Sequence, residues 1–250
     1  MSLFQKKLKI PSKDTIIWRY MSFEKFLYLI MNEKLYLCRL DKLTDQYEGT
    51  VPDNNRKNIN LRLKKVPLIT REEKIEKYNH EIKRIHAFKQ FTLINCWSMY
   101  EEESFALWKI YTKPGYGIAI KSKFGLLQDS LANNKELDFG IVEYNNKQAT
   151  AETQTSIPVT KKIYYKYENE LRVLLYDQYD NRGATDISNF EPLYEKGKEV
   201  DVNIKILIDS VYLSPSAPDW FEEIVRILLS GILNKDFNNK VIRSNIKDDL

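Results

Sequence analysis

Ile16-Ile17-Trp18-Arg19-Tyr20, then Ser22-Phe23-Glu24-Lys25-Phe26-Leu27-Tyr28-Leu29-Ile30, then Leu35-Tyr36-Leu37-Cys38-Arg39-Leu40 decide the fold class. The first and last runs are rich in apolar and aromatic residues, as strands are. Between them Phe23, Phe26, Leu27 and Ile30 recur at i, i+3, i+4 and i+7, which puts one apolar face on a helix. Ser22 supplies an N-cap, and Asn32-Glu33-Lys34 ends the helix. The chain therefore opens strand, helix, strand.

Working outward, the stretch from Asp41 to Asn60 is rich in Asp, Asn, Gly and Pro and reads as a long loop. Thr70-Arg71-Glu72-Glu73 has the form of a capping box for a helix to about Lys89, with Ile75, Tyr78, Ile82 and Ile85 turned inward. Phe91 to Trp97 reads as a strand. Ser104 caps a short helix carrying Phe105, Trp108 and Tyr111, which Lys113-Pro114-Gly115 ends. Strands follow at Tyr116 to Lys121, Leu137 to Tyr144 and Leu171 to Tyr176, with a polar connector from Asn145 to Ile157 and a loop from Asp177 to Val200. The chain closes on an apolar run from Ile204 to Leu213, a helix started by Pro218 and a strand from Lys240 to Ser244. Strands and helices do not alternate regularly, and no linker or repeat divides the chain. The expected fold is a single α+β domain over residues 1–250, a mixed and largely antiparallel sheet with flanking helices.

A length of 250 residues, with 43% hydrophobic and 30% charged residues, suits an ordinary globular domain. Cys38 and Cys96 sit in apolar runs and read as buried thiols, and such low cysteine use fits a reducing compartment. No run approaches the ~20 apolar residues of a membrane helix, and the first residues lack the form of a signal peptide, so the expected location is the cytoplasm. The net charge of +4 is concentrated in part between Arg56 and Lys65, where five cations occur with no acid. That stretch reads either as a solvated loop or as an edge that contacts phosphate.

Several familiar sites are excluded. No Gly-x-Gly-x-x-Gly, P-loop or Gly-x-Ser-x-Gly pattern occurs, and no Cys/His spacing suits zinc. The two histidines, His80 and His86, are not at a metal-ligand spacing on one helix face. Chemistry is left to carboxylates, Arg, Tyr and Ser. Four segments carry them: Trp18-Arg19-Tyr20; Thr44-Asp45-Gln46-Tyr47-Glu48-Gly49; Cys96-Trp97-Ser98 with Trp108 to Tyr111; and Glu168-Asn169-Glu170-Leu171-Arg172.

In order and spacing these segments resemble the bacterial family catalogued as domain of unknown function 2971. Its members open with an aromatic-Arg-Tyr strand and carry an Asp-Pro-x-Glu-Gly loop, a Cys-aromatic-Ser strand, a Leu-Met/Trp-x-x-Tyr helix and Glu-x-Glu-x-Arg. Gln46 replaces the usual Pro, and Ser214 stands where the family has Gly before its last helix. The resemblance spans about residues 16–245, and the basic and helical part at roughly 50–90 is less typical of it.

The order Arg19, Ser98, Glu168/Glu170 is also similar to the Arg, Ser and Glu-x-Glu of toxin-like ADP-ribosyltransferases. That similarity implies NAD as substrate. Arg19 would hold the pyrophosphate, since a guanidinium binds phosphate through two bonds. Glu170 would oppose the positive charge of the sugar as nicotinamide leaves, with Glu168 and Ser98 beside it. Tyr20, Asp45, Glu48, Trp108, Tyr111 and Arg172 complete the candidate substrate-binding set, with no metal. The expected role is a defence- or toxin-type effector with a nucleic-acid or protein acceptor. Two other readings stay open. Asp45, Glu48, Glu168 and Glu170 could hold Mg²⁺ for nucleic-acid cleavage, or the chain could be a non-catalytic binding or sensor module. In the last case Arg19 pairs with Asp45 or Glu48, Ser98 caps a turn, Glu170 and Arg172 pair across the sheet, and Trp108 and Tyr111 belong to the core.

Overall fold

The computed structural model describes residues 8–43, 70–145, 154–177 and 192–246. Strand β1 (Ile16–Ser22) runs into helix α1 (Phe23–Asn32) and strand β2 (Lys34–Arg39). Phe26, Leu29 and Ile30 of α1 are buried, as the apolar period predicts, and Glu33 ends the helix in the left-handed region at φ 50°. Helix α2 (Arg71–Gln90) begins on the predicted capping box, with Thr70 and Glu73 bonded reciprocally. Of its expected inward residues, Tyr78 packs against the core but Ile75 is exposed; the side chains of Ile82 and Ile85 lie outside the described residues.

Strand β3 (Thr92–Ser98) leads to helix α3 (Phe105–Tyr111), where the Ser104 hydroxyl accepts from the Leu107 N–H. Then come β4 (Gly117–Lys123), α4 (Phe124–Ser130), β5 (Leu137–Ile141), β6 (Glu143–Asn145) and β7 (Thr160–Lys162). A 3₁₀ helix over Ile163–Glu168 precedes β8 (Glu170–Tyr176). The chain ends with β9 (Gly197–Asp201), α5 (Ile204–Leu207), β10 (Ser210–Leu213), α6 (Asp219–Ile232) and β11 (Val241–Arg243).

Nine strands form one sheet in the order β11-β10-β4-β1-β3-β2-β9, with β8 joined to β3 and β5 joined to β8; β6 and β7 form a separate parallel pair. Only β10–β11 is parallel in the large sheet. The fold is α+β with a mixed, mostly antiparallel sheet, as the element order implies. The run Ile204–Leu213 divides because Asn203 caps a helical turn through the N–H groups of Lys205 and Ile206. β9 lies in the stretch read as loop: all its residues but the buried Val200 are polar or Gly, and it pairs only with β2 at the sheet edge.

Alternation along the strands assigns two faces. Ile17, Met21, Leu35, Leu37, Leu93, Trp97, Ile118, Ile120, Leu171 and Val173 enter the main core with α1 and α6. Trp18, Tyr20 and Ala119 form an aromatic cluster with Trp108 on the other face, and Ile94 and Leu174 join Phe88 there. The two cysteines form no disulfide and are half-buried on this second face, less enclosed than the sequence implies. Among the described residues no helix is long and apolar enough to cross a membrane.

Candidate functional site

The sheet forks at β3. Ser98 has a strand partner on each side, Trp18 of β1 and Glu170 of β8. Ile94 likewise lies between Cys38 of β2 and Leu174 of β8. β1 and β2 therefore share one edge of β3, and Asn95, Cys96 and Trp97 face the gap where the two strands draw apart. Side chains take over the missing ladder bonds, since buried backbone groups must be paired. Arg19 Nη1 donates to the Cys96 carbonyl at 2.8 Å, and Asn95 Nδ2 donates to the Tyr36 carbonyl at 2.9 Å.

This geometry separates two groups that the sequence sets side by side. Arg19 alternates with Ile17 and Met21, so it leaves β1 on the main-core face, and its guanidinium lies 5.9 Å from the centre of the Trp97 ring. Burial lowers its pKa to about 10. Ser98, Glu170 and Arg172 alternate onto the opposite face. Arg19 is thus not brought to the carboxylates, and it is spent on holding β3. Asp45 and Glu48 lie outside the described residues, as does the basic run Arg56 to Lys65.

Glu168, Glu170 and Arg172 are assembled, with a fourth charge that the sequence did not reveal. Lys161 Nζ lies 2.5 Å from Glu168 Oε2 and 3.1 Å from Glu170 Oε1. Arg172 grips Glu170 Oε2 through Nε at 2.6 Å and Nη2 at 2.5 Å, and its Nη1 donates to the Pro158 carbonyl at 2.7 Å. All four side chains are buried, Arg172 completely. Glu168 closes the 3₁₀ helix and Glu170 opens β8. Between them Asn169 adopts φ 42°, a left-handed conformation that Asn tolerates better than most residues. Asn169 is pinned to the end of β3: the Met99 N–H donates to its carbonyl at 2.8 Å, and its amide donates to the Met99 carbonyl. One turn therefore fixes both carboxylates.

Their environments pull their proton affinities apart. Burial, reinforced by Glu170 alongside, pushes the Glu168 carboxyl up, with Lys161 opposing. Burial acts on Glu170 in the same sense, but Arg172, a hydrogen bond with Glu168 and Lys161 override it and hold that carboxyl well below the usual range. The surroundings thus favour the ionised form of Glu170 and the protonated form of Glu168. With Glu168 ionised the cluster is neutral, and with Glu168 protonated it carries one net positive charge.

Tyrosines roof the pair. The Tyr144 hydroxyl accepts from the Glu170 N–H at 2.9 Å, and the Tyr100 hydroxyl donates to the Tyr167 carbonyl at 2.6 Å. Burial first, then the charge of Glu168, raises the hydroxyls of Tyr111 and Tyr167. Tyr111 and Tyr167 as residues remain 45% and 41% exposed, so they run from the surface to the carboxylates.

Trp108 does not share this position. It is buried, donates from Nε1 to Glu103 Oε2 at 2.9 Å, and packs edge-on against Tyr20. Tyr20 in turn accepts from the Ser104 N–H at 2.8 Å. Tyr20 and Trp108 hold α3 in place, and Tyr111 alone of that helix's candidates reaches the carboxylates. Ser98 is not a turn cap; it is the cross-strand neighbour of Glu170, on the same face.

Lys161, Tyr144 and Tyr167 complete the site but carry no sequence pattern of their own. Lys161 has an identical neighbour, Lys162, and only strand alternation makes one buried and the other exposed. Among the described residues no cluster of three or more His, Cys, Asp or Glu is placed to hold a metal. No family model, curated protein or solved structure matches the chain, so the resemblances stated above rest on their motifs alone.

Proposed function

We propose that this chain cleaves NAD at the nicotinamide–ribose bond and passes the ADP-ribosyl group to an acceptor. The observation that carries the reading is the Glu168–Glu170 pair: two carboxylates on one turn, one held ionised and one tuned toward neutrality, reached from the surface along Tyr111 and Tyr167. Paired carboxyls with separated proton affinities divide acid–base and electrostatic roles between them.

In this scheme nicotinamide leaves as a neutral molecule with the electron pair of the broken bond. The remaining sugar is an oxocarbenium-like cation, which the fixed charge of Glu170 opposes. A hydroxyl or amine of the acceptor, or water, attacks the anomeric carbon and gives its proton to ionised Glu168. A base whose affinity is raised toward neutrality suits that step. The exposed faces of Tyr111 and Tyr167 offer stacking surfaces for the planar nicotinamide. Arg172 and Lys161 keep Glu170 in position, and Arg19 acts at a distance by fixing the strand that bears Ser98.

The Mg²⁺-dependent alternative is weakened by Lys161 and Arg172, whose cationic groups already occupy both oxygens of Glu170 and Oε2 of Glu168. The test is nicotinamide release from NAD, with and without cell lysate. Wild type is expected to release it, and Glu170→Gln to lose about a hundredfold or more while its thermal melt stays cooperative. No release by folded wild-type protein under either condition would overturn the proposal.

A further inference from the structure

Helix α6 is apolar on two sides. Phe221, Val225 and Leu229 face the main core, as a helical period requires. Trp220, Ile224 and Ile227 face outward and are 52%, 39% and 63% exposed. With Gly231 they are spaced four, three and four residues apart, the alternation by which one helix presents a seam to another. The seam runs about 16 Å at ~1.5 Å per residue. Tyr116 widens it: that residue is 46% exposed, and its ring centre lies 5.7 Å from that of Trp220. An apolar seam on a helix that already buries its other side is a packing face without its partner.

The seam is complementary to itself. Its spacing reads the same from either end, so a two-fold axis that sets two copies of α6 antiparallel brings Trp220 of each onto Gly231 of the other, and Ile224 onto Ile227. Gly231 supplies the room. A Cβ at that position would meet nothing within 4 Å, so no close approach inside the chain calls for glycine there, although glycine weakens a helix. The missing side chain leaves a hole that the largest side chain of the seam can enter. Charge allows the approach as well. Asp219 is paired with Arg243, and Glu222 with Arg226 and Arg243. Glu223 lies on the flank of the seam, and the antiparallel register sets it near Ser230 of the second copy, a hydroxyl rather than another acid.

We propose that α6 pairs with α6 of a second copy of this chain in an antiparallel, two-fold dimer centred between Ile224 and Ile227. Two such faces with Tyr116 bury on the order of 1,000 Å² in total, below the ~1,200 Å² at which stable assemblies begin, so the dimer forms reversibly at micromolar concentrations. α6 packs on the main-core face of the sheet and the carboxylates lie on the other, so pairing and the chemistry at Glu168 fail separately.

Sedimentation velocity from about 1 to 100 µM reads the association. Tryptophan emission over the same dilution series reads the seam, because Trp18, Trp97 and Trp108 are buried and Trp220 is not. Wild type is expected to move from one chain mass toward two, with emission shifting to the blue as it does so. Ile227→Glu puts a charge at the centre of the contact and is expected to weaken association about a hundredfold. Gly231→Leu fills the hole opposite Trp220 and is expected to weaken it about tenfold. Both positions are open in the single chain, so each variant should keep a cooperative melt at the lowest concentration. The proposal is overturned if wild type stays at one chain mass up to about 100 µM, if association leaves the emission unchanged, or if either variant associates as tightly as wild type.

Discussion

Arg172→Met should cost about 3–5 kcal/mol of stability, the penalty typical of removing one partner from a buried ion pair. Arg172 is completely buried, makes two contacts with Glu170, and is the donor to the Pro158 carbonyl. Methionine fills much of the volume but strands the Glu170 carboxylate with Lys161 alone. For a chain of this size the melting temperature should fall by roughly 10 °C, at about 2–4 °C per kcal/mol. Adding Glu170→Gln to the same chain removes the stranded charge and should restore part of the loss, because apolar or neutral replacement of a whole buried pair is often tolerated. Urea unfolding of the wild type, the two single variants and the double variant measures the coupling. A loss below about 1 kcal/mol for Arg172→Met, within the range of an exposed ion pair, would mean that the cluster is open to water.

The second large effect is a stability profile with two opposite slopes. The folded Glu168 carboxyl binds its proton more tightly than the usual value of 4.5. Above that value the unfolded chain has released a proton that the folded chain still holds, so stability falls as pH rises, until Glu168 ionises in the fold as well. The slope approaches about 1.4 kcal/mol per pH unit. Glu170 has the reverse sign: its folded value lies below 4.5, so its contribution is present above that pH and is lost as pH falls. Glu168→Gln should abolish the decline on the alkaline side and leave the acid-side loss in place. Chemical denaturation across pH for both proteins reads this directly, and a parallel decline in Glu168→Gln would assign the slope to another group.

The sequence carried the framework further than it carried the site. The apolar period of Phe23 to Ile30 and the reciprocal Thr70–Glu73 cap are local signals, and both elements formed where those signals lie. Glu168-x-Glu170-x-Arg172 was legible for a similar reason, since alternation along a strand puts Glu170 and Arg172 on one face. The position of Arg19 was not. Its parity with Ile17 and Met21 is readable, but which carboxylate face it meets depends on the pairing of Trp18 with Ser98. A slip of one residue there would reverse every side chain of β1. Lys161 was hidden because its contacts come from across a turn, and β9 because the Gly197–Asp201 run, with Val200 its one apolar residue, forms a strand only when β2 offers its edge.

The fork in the sheet was likewise invisible, yet it gives the arrangement its physical sense. Two strands compete for one edge of β3, and Arg19 and Asn95 supply the bonds that neither strand makes. The other edge stays paired with β8 from Thr92 to Ser98, so Glu170 is carried on the fully laddered side of β3. Four buried charges are an expensive way to fill a core, and a well-packed apolar set is often as stable. Their presence beside half-exposed tyrosines is what the proposed chemistry at Glu168 and Glu170 calls for.

The separation of the two carboxyls is the claim on which the proposed chemistry stands, and carbon-13 NMR of glutamate-labelled protein tests it most directly. Titration of wild type should show one carboxyl resonance moving at a pH above the ordinary carboxylate range and absent from Glu168→Gln. A second, absent from Glu170→Gln, should stay ionised well below that range. Two carboxyls titrating together at ordinary values would contradict the account.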